Sequence, residues 1–181
     1  ILAGAGSGKT TVITRRVAWL IEEEGVKPSS ILAMTFTNKA ADEMRERVQR
    51  LVSVPTEQLW VSTFHSFCTR ILRREGERTP VGRDFVIFDP SDQKALIKQV
   101  LVELKLPEKQ FHPKKVLELI SDWKNRCLLP DEAREEALDA WTRKALDAYE
   151  LYQTGLKNHR ACDFDDLLLH TERLFRDPVM Q

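Results

Sequence analysis

The stretch ILAGAGSGKT, residues 1–10, decides how the start of this chain folds. Small residues followed by Lys9 and Thr10 are typical of a phosphate-binding loop, because backbone N–H groups can curl around phosphate oxygens at a helix N-terminus. In such a loop the lysine reaches the β- and γ-phosphates and the hydroxyl of Thr10 ligates Mg²⁺. The strict pattern has Gly five residues before Gly8, where this chain has Ala3. The predicted nucleotide-binding residues are Gly4, Ala5, Gly6, Ser7, Gly8, Lys9, Thr10 and Thr11.

The position of this loop is itself informative, since a buried strand should lead into it. Residues 1–3 have the apolar character of the end of such a strand, and no Met precedes them. We therefore expect the chain to be a piece of a larger protein, cut at both ends.

The first 76 residues alternate between helical and strand patterns. Helices are predicted over 9–24, 39–51 and 65–75, and short apolar runs at 30–36 and 59–63 predict strands. This alternation favours α/β architecture with a parallel sheet and right-handed crossovers. The polar residues of interest follow the predicted strands, at the edge where such sheets bind ligands.

The pattern becomes mainly helical after Gly76. Prolines and capping residues predict helices over 89–105 and 113–126, a third from Pro130 to His159 with a break near Asp139, and a last one after Asp163. Residues 85–88 predict one short extended piece. We expect an all-α subdomain inserted in an α/β core.

The amino-acid composition excludes few classes of function. The 181 residues are 42% hydrophobic and carry 28 basic and 28 acidic side chains, so net charge attracts neither nucleic acid nor membrane. Residues 1–130 hold 21 Lys/Arg against 16 Asp/Glu, which fits either a basic face toward DNA or ordinary solvated helices. Three scattered cysteines predict reduced thiols in a cytoplasmic protein without a zinc site. No apolar run is long enough to cross a membrane.

Similar chemistry follows the two complete strands. Thr35 to Ala41 places hydroxyls, an amide and a cation at a helix start, which suits a phosphodiester backbone. Phe36 there either offers a face to a base or lies in the core. Thr63-Phe64-His65-Ser66 repeats the hydroxyl–aromatic arrangement after the next strand.

Three of these motifs together resemble a known family. AGAGSGKT (3–10), TFTNKAADEM (35–44) and TFHSFCTRIL (63–72) resemble motifs I, Ia and Ib of the UvrD/Rep/PcrA family of superfamily 1 helicases. FDPSDQ (88–93), ISDWKNRCLLP (120–130) and DFDDLLLHTERLF (163–175) resemble its helical insertion, called 1B. The similarity extends over essentially the whole chain. Ala3 is common in the family, whereas Thr11 stands where its members often have Arg.

The resemblance implies a fold and an activity. Residues 1–76 would be part of a RecA-like P-loop NTPase core (1A), and residues 77–181 a 1B-like insertion whose last helix leads back toward the core. The protein would be an ATP-driven DNA helicase moving 3′→5′ on single-stranded DNA and acting at single-strand/duplex junctions with further helicase domains of the same chain. Lys9 and Thr10 would be catalytic, serving ATP and Mg²⁺. The DNA-binding residues would be Phe36, Thr37, Asn38, Lys39, Thr63 and His65.

Three other functions stay open: the helicase subunit of a recombination helicase–nuclease, a P-loop phosphotransferase, and a non-hydrolysing DNA-binding module. ATP hydrolysis needs a further carboxylate for the metal. The family takes it from an Asp-Glu pair on a later strand, and no apolar strand here ends in that pair. We therefore expect the 181-residue chain alone to bind nucleotide weakly and not to hydrolyse it efficiently.

Several smaller features have competing interpretations. The acidic pairs at 131–132 and 163–166 are predicted to cap helices rather than bind metal. All four tryptophans are predicted to pack against neighbours, with Trp19 in the core. Lys114, Lys115, Lys124 and Arg126 either touch duplex phosphates or lie on a solvated helix face.

Overall fold

The computed structural model describes residues 8–177, which form a mixed α/β protein that is mostly helical. Its strands are β1 (Leu32–Thr35), β2 (Trp60–Thr63), β3 (Val86–Ile87) and β4 (Ala161–Cys162). Its helices are α1 (Lys9–Glu22), α2 (Asn38–Gln49), α3 (Phe64–Arg74), α4 (Pro90–Glu103), α5 (Pro113–Asn125), α6 (Pro130–Ala133), α7 (Ala140–Asn158) and α8 (Phe164–Arg176). None of the helices in this described part combines the length and apolar character that a membrane span requires.

The chain divides into two compact parts, an N-terminal unit up to Phe67 and a C-terminal unit from Cys68 onward. In the N-terminal unit, β1 and β2 pair in parallel, with Leu32 opposite Trp60 and Thr35 opposite Thr63. The predicted parallel pairing of these two strands is confirmed. The strand expected at residues 1–3 lies outside the described residues.

Helix α2 packs on this strand pair, and α1 packs on α2. The shared core holds apolar residues of the strands and of the helix faces that meet them: Val17, Ile21, Ile31, Ala33, Ala41, Met44, Val48, Leu59 and Val61. A hydrogen bond also connects α2 to β2, because the Arg45 guanidinium of α2 donates to the Val61 carbonyl at 2.7 Å. A charged-group hydrogen bond of this kind fixes α2 against β2.

The C-terminal unit is built from α4, α5, α7 and α8. Its core contains large buried side chains, among them Ile97, Ile120, Leu146 and Leu156. The prediction that this subdomain is all-α is wrong, because β3 pairs in parallel with β4 through Val86–Ala161 and Ile87–Cys162. The short extended piece predicted at 85–88 is present as β3, whereas β4 was missed, because a two-residue strand bonded to a partner more than 70 positions away leaves no local pattern to detect.

Helix starts in this unit follow their capping residues. The carboxylate of Asp89 caps α4, that of Asp139 caps α7 after the predicted break, and that of Asp163 caps α8. Glu132 accepts a hydrogen bond from the Leu129 N–H at 2.8 Å. The predicted capping role is confirmed for Glu132 in the pair at 131–132, and for Asp163 and Asp166 at the start of α8.

A buried charge cluster joins α5 to α8. Lys124 is 1% exposed, and its ammonium lies 2.6 Å from Asp163 Oδ2 and 2.8 Å from Asp166 Oδ1. Tyr152 donates to the same Asp163 oxygen at 3.1 Å, and the Gln153 amide donates to Asp166 at 3.2 Å. Both sequence interpretations of Lys124, a duplex contact and a solvated face, are therefore wrong.

The cluster sets the ionisation of its members. Burial opposes the charge on Lys124, but Asp166 and Asp163 together outweigh it and hold the pKa of the ammonium above its ordinary value. Burial also opposes ionisation of Asp166, yet Lys124 keeps the pKa of that carboxyl below its usual range. Burial and the neighbouring Asp166 raise the pKa of Asp163. The ions are thus retained by one another rather than by water.

Three of the four tryptophans pack as predicted. Trp123 stacks on Tyr149 at 5.9 Å between ring centroids, and Trp141 stacks on Phe111 at 5.8 Å. Trp60 meets Phe67 edge-on at 5.8 Å. Trp19 is 41% exposed, so the prediction that it belongs to the core is wrong. Its ring lies under the guanidinium of Arg16, 4.3 Å from its centroid, one turn along α1.

Gly76 closes a turn that admits no side chain. A Cβ on Gly76 would lie 2.6 Å from the backbone nitrogen of Arg83 and 2.7 Å from its Cα. Because backbone atoms cannot rotate away, we expect Gly76→Ala to lower the free energy of unfolding of the C-terminal unit by about 1–3 kcal/mol. Hydrogen exchange of its core amides measures this loss.

Gly155 of α7 supplies the matched control. Its added Cβ would meet the flexible end of Leu96 at 2.7 Å, and that side chain can move. Alanine also favours the helix over glycine by about 1 kcal/mol. We expect Gly155→Ala to cost less than Gly76→Ala, and equal losses would contradict the steric argument.

Candidate functional site

The described end of the phosphate-loop sequence is Gly8, which precedes α1. Its backbone is left-handed, with φ of 79° and ψ of 14°, a conformation that favours glycine. A Cβ there would meet nothing within 4 Å, so the backbone angle rather than space requires glycine. Gly4, Ala5, Gly6 and Ser7 lie outside the described residues.

Lys9, Thr10 and Thr11 form the first turn of α1 and are exposed. This turn carries no acidic residue, and Gly8 has no side chain with which to cap it. The first N–H groups of a helix have no partner within the helix and favour an anion. The arrangement suits a phosphate group, and the predicted roles of Lys9 and Thr10 stay predictions.

A second set of predicted residues follows β1. The Thr37 hydroxyl caps α2 by accepting from the Ala40 N–H at 3.1 Å, and the Thr35 hydroxyl donates to the Thr37 carbonyl at 3.0 Å. These bonds make a tight connection from strand to helix. Asn38 and Lys39 begin α2 and are exposed.

Phe36 lies within this connection and is 92% exposed. The alternative that placed it in the core is wrong for the N-terminal unit. An almost fully exposed phenyl ring gains little from hydrophobic burial, so packing in the core of this unit does not account for its position.

The third set of predicted residues follows β2, and its two members differ in exposure. His65 is exposed near the start of α3. Thr63 is only 8% exposed, and its hydroxyl donates to Ser66 Oγ at 2.8 Å while accepting from the Ser66 N–H at 3.2 Å. The Thr63 hydroxyl is thus occupied in holding the first turn of α3.

Phe64 is a candidate that sequence reasoning left out of the predicted site. Its ring centroid lies 5.8 Å from that of Phe36, with the planes tilted by 50°. The signal was present in the repeated Thr-Phe at 35–36 and 63–64. The parallel register places Thr35 opposite Thr63, so the two phenylalanines leave the strand pair at the same edge.

Metal ligands do not cluster elsewhere in the described range. Across residues 8–177 no group of three His, Cys, Asp or Glu side chains is placed to hold a metal ion. Asp163 and Asp166 instead bind Lys124 and cap α8.

The whole chain, residues 1–181, matches the family model of the UvrD/REP helicase N-terminal domain. The chain therefore belongs to this family, and the resemblance drawn from the three motifs is confirmed.

Comparison with individual proteins supports the same family. The chain is 49% identical over 175 residues to the ATP-dependent DNA helicase PcrA of Staphylococcus aureus, and 47% identical over the same length to that of Staphylococcus epidermidis. Each comparison covers 97% of this chain and 24% of the relative. The chain thus spans about a quarter of the length of these relatives.

Proposed function

We propose that this chain is the part of an ATP-dependent DNA helicase that binds nucleotide at the start of α1 and single-stranded DNA at the carboxyl edge of β1 and β2. Family membership supports the class, and the relatives are named ATP-dependent DNA helicases. The observation that carries the DNA site is the exposed Phe36, held between a strand end and a capped helix start.

The nucleotide part of the proposal concerns residues 4–11. The left-handed Gly8 and the unshielded first turn of α1 support phosphate binding there. Lys9 would contact the β- and γ-phosphates, and Thr10 would hold Mg²⁺, which neutralises phosphate charge during transfer.

The DNA part joins three kinds of contact. Asn38 and Lys39 at the start of α2 would bind backbone phosphates, together with Thr37. Phe36 would stack on a base, which is sequence-tolerant because every base has a π-face. His65 would extend the track along α3, and Thr63 would keep the start of that helix in place.

The wider proposal follows the family. Residues 1–76 would belong to a RecA-like core and residues 77–181 to a 1B-like insertion. The full-length protein would move 3′→5′ and act at single-strand/duplex junctions, with other helicase domains completing the ATP site. A small-molecule phosphotransferase would not need an exposed aromatic beside a phosphate-binding helix start.

Salt dependence of single-stranded DNA binding by the full-length protein tests the site. Affinity for single strands falls with salt in proportion to the number of phosphates neutralised, with a slope of about −0.7 per phosphate. We expect Lys39→Ala to make the slope shallower by about 0.7. Lys27→Ala, which removes an exposed lysine beyond α1, should leave it unchanged.

Nucleotide provides the second arm of this experiment. Binding measured with and without a non-hydrolysable ATP analogue should differ, because a translocase must couple its two sites. Absence of affinity for unpaired DNA, or identical affinity in both conditions, contradicts the proposed function.

A further inference from the structure

The rings of Phe36 and Phe64 form an aromatic pair that belongs to neither core. Phe36 is 92% exposed and Phe64 39% exposed, and neither is part of the apolar cluster between α1, α2 and the strands. The ring pair of Trp123 and Tyr149 is sheltered by contrast, since these residues are 1% and 0% exposed. The Phe36–Phe64 pair is therefore built at the surface, beside the proposed DNA track.

The two rings are not held equally. Phe64 is the first residue of α3, directly after Thr63, whose hydroxyl bonds twice to Ser66 and whose backbone is paired in the sheet. Phe36 lies in the connection between β1 and α2, outside either element. The residue is 92% exposed, and the centroid of its ring lies 5.8 Å from that of the Phe64 ring. The position of Phe64 is thus fixed by the end of β2 and the start of α3, whereas Phe36 is exposed in the connection between β1 and α2.

We propose that Phe64 is a positioning residue that orients the Phe36 ring for stacking on an unpaired nucleobase. A tilted contact between two rings restricts how the exposed ring can turn. Holding the free ring in its bound orientation reduces the ordering cost when a base stacks on it. The inference rests on the proposed function and adds a residue that the predicted DNA site did not contain.

A comparison of two oligonucleotides isolates the stacking step. The full-length protein is titrated with an oligothymidylate and with an abasic oligonucleotide of equal length, which keeps the phosphates and lacks the bases. Stacking of one base contributes about 5- to 150-fold in affinity. We expect Phe36→Ala to weaken oligothymidylate binding within that range. Phe64→Ala should weaken it by about 3- to 20-fold, and neither variant should change abasic binding.

The double variant decides between positioning and an independent contact. If Phe64 acts through Phe36, Phe36→Ala with Phe64→Ala should bind oligothymidylate no more weakly than Phe36→Ala alone. Fully additive losses overturn the proposal, as does wild-type affinity in Phe64→Ala.

Conservative variants guard against an effect on folding. Phe64→Tyr keeps the ring and should retain affinity, whereas Phe64→Leu keeps apolar bulk without the ring and should behave like Phe64→Ala. Wild-type affinity in Phe64→Leu overturns the proposal. If the parent protein binds no single-stranded DNA, or binds it with Phe36→Ala unaffected, the proposed DNA site itself is wrong and the role of Phe64 falls with it.

Discussion

Lys124→Met is expected to destabilise the C-terminal unit by about 3–5 kcal/mol, the range found when one partner of a buried ion pair is removed. The substitution leaves Asp163 and Asp166, at 3% and 1% exposure, without the ammonium that contacts both carboxylates. The remaining tyrosine and glutamine donors cannot neutralise two carboxylates. Hydrogen exchange of the amides in α5 and α8 measures the loss where it arises.

Two control variants separate the charge effect from lost packing. Lys114→Met removes an exposed lysine of the same helix, 3.7 Å from Glu118. It should change stability by no more than about 0.5 kcal/mol. Adding Asp163→Asn and Asp166→Asn to Lys124→Met removes the orphaned charges and should recover part of the loss, because asparagine caps a helix start about as well as aspartate does. A cost under about 1 kcal/mol for Lys124→Met would show that the cluster does not hold the unit together.

Lys9→Ala in the full-length protein is expected to reduce DNA-stimulated ATP turnover by at least about 100-fold. The ammonium would stabilise charge that develops on the phosphates, and removal of one such donor typically costs about 10²–10³ in rate. Steady-state phosphate release at saturating single-stranded DNA measures the change.

Two measurements serve as controls for this experiment: DNA binding by Lys9→Ala, and ATP turnover by a variant of another exposed lysine. Affinity for single-stranded DNA without nucleotide should stay within about twofold, because Lys9 belongs to the phosphate loop and not to the proposed DNA track. Lys27→Ala should leave turnover unchanged. Turnover near wild type in Lys9→Ala would remove Lys9 from the role proposed for it.

Local signals explain which parts of the fold could be predicted. Helix starts at Asp89, Asp139 and Asp163 follow from side chains that bond to backbone N–H groups two or three residues later. The predicted ends of α1 to α5 and of α7 fall within about two residues of those observed, since apolar periodicity is also local, whereas α6 ends well before the break predicted near Asp139. The family could be inferred because its three motifs stand in order and at characteristic spacing.

Non-local contacts explain what could not be predicted. Lys124 and Asp163 are 39 positions apart, and a lysine followed by Asn125 and Arg126 has the pattern of a solvated face. Trp19 has apolar neighbours in sequence, yet α1 turns it outward. In each case burial depends on which helix packs opposite, and periodicity within one element does not contain that information.

By itself, the sequence determined the family, the capped helix starts and the parallel pairing of β1 and β2, because these follow from motifs, capping side chains and the alternation of strands and helices along the chain. It also predicts phosphate binding at Gly8 to Thr10, which stays a prediction. Only the tertiary structure decided that Phe36 is exposed, that Phe64 lies against it and that Lys124 is enclosed by two carboxylates. These outcomes depend on strand register and helix packing, which bring together residues that are distant in sequence.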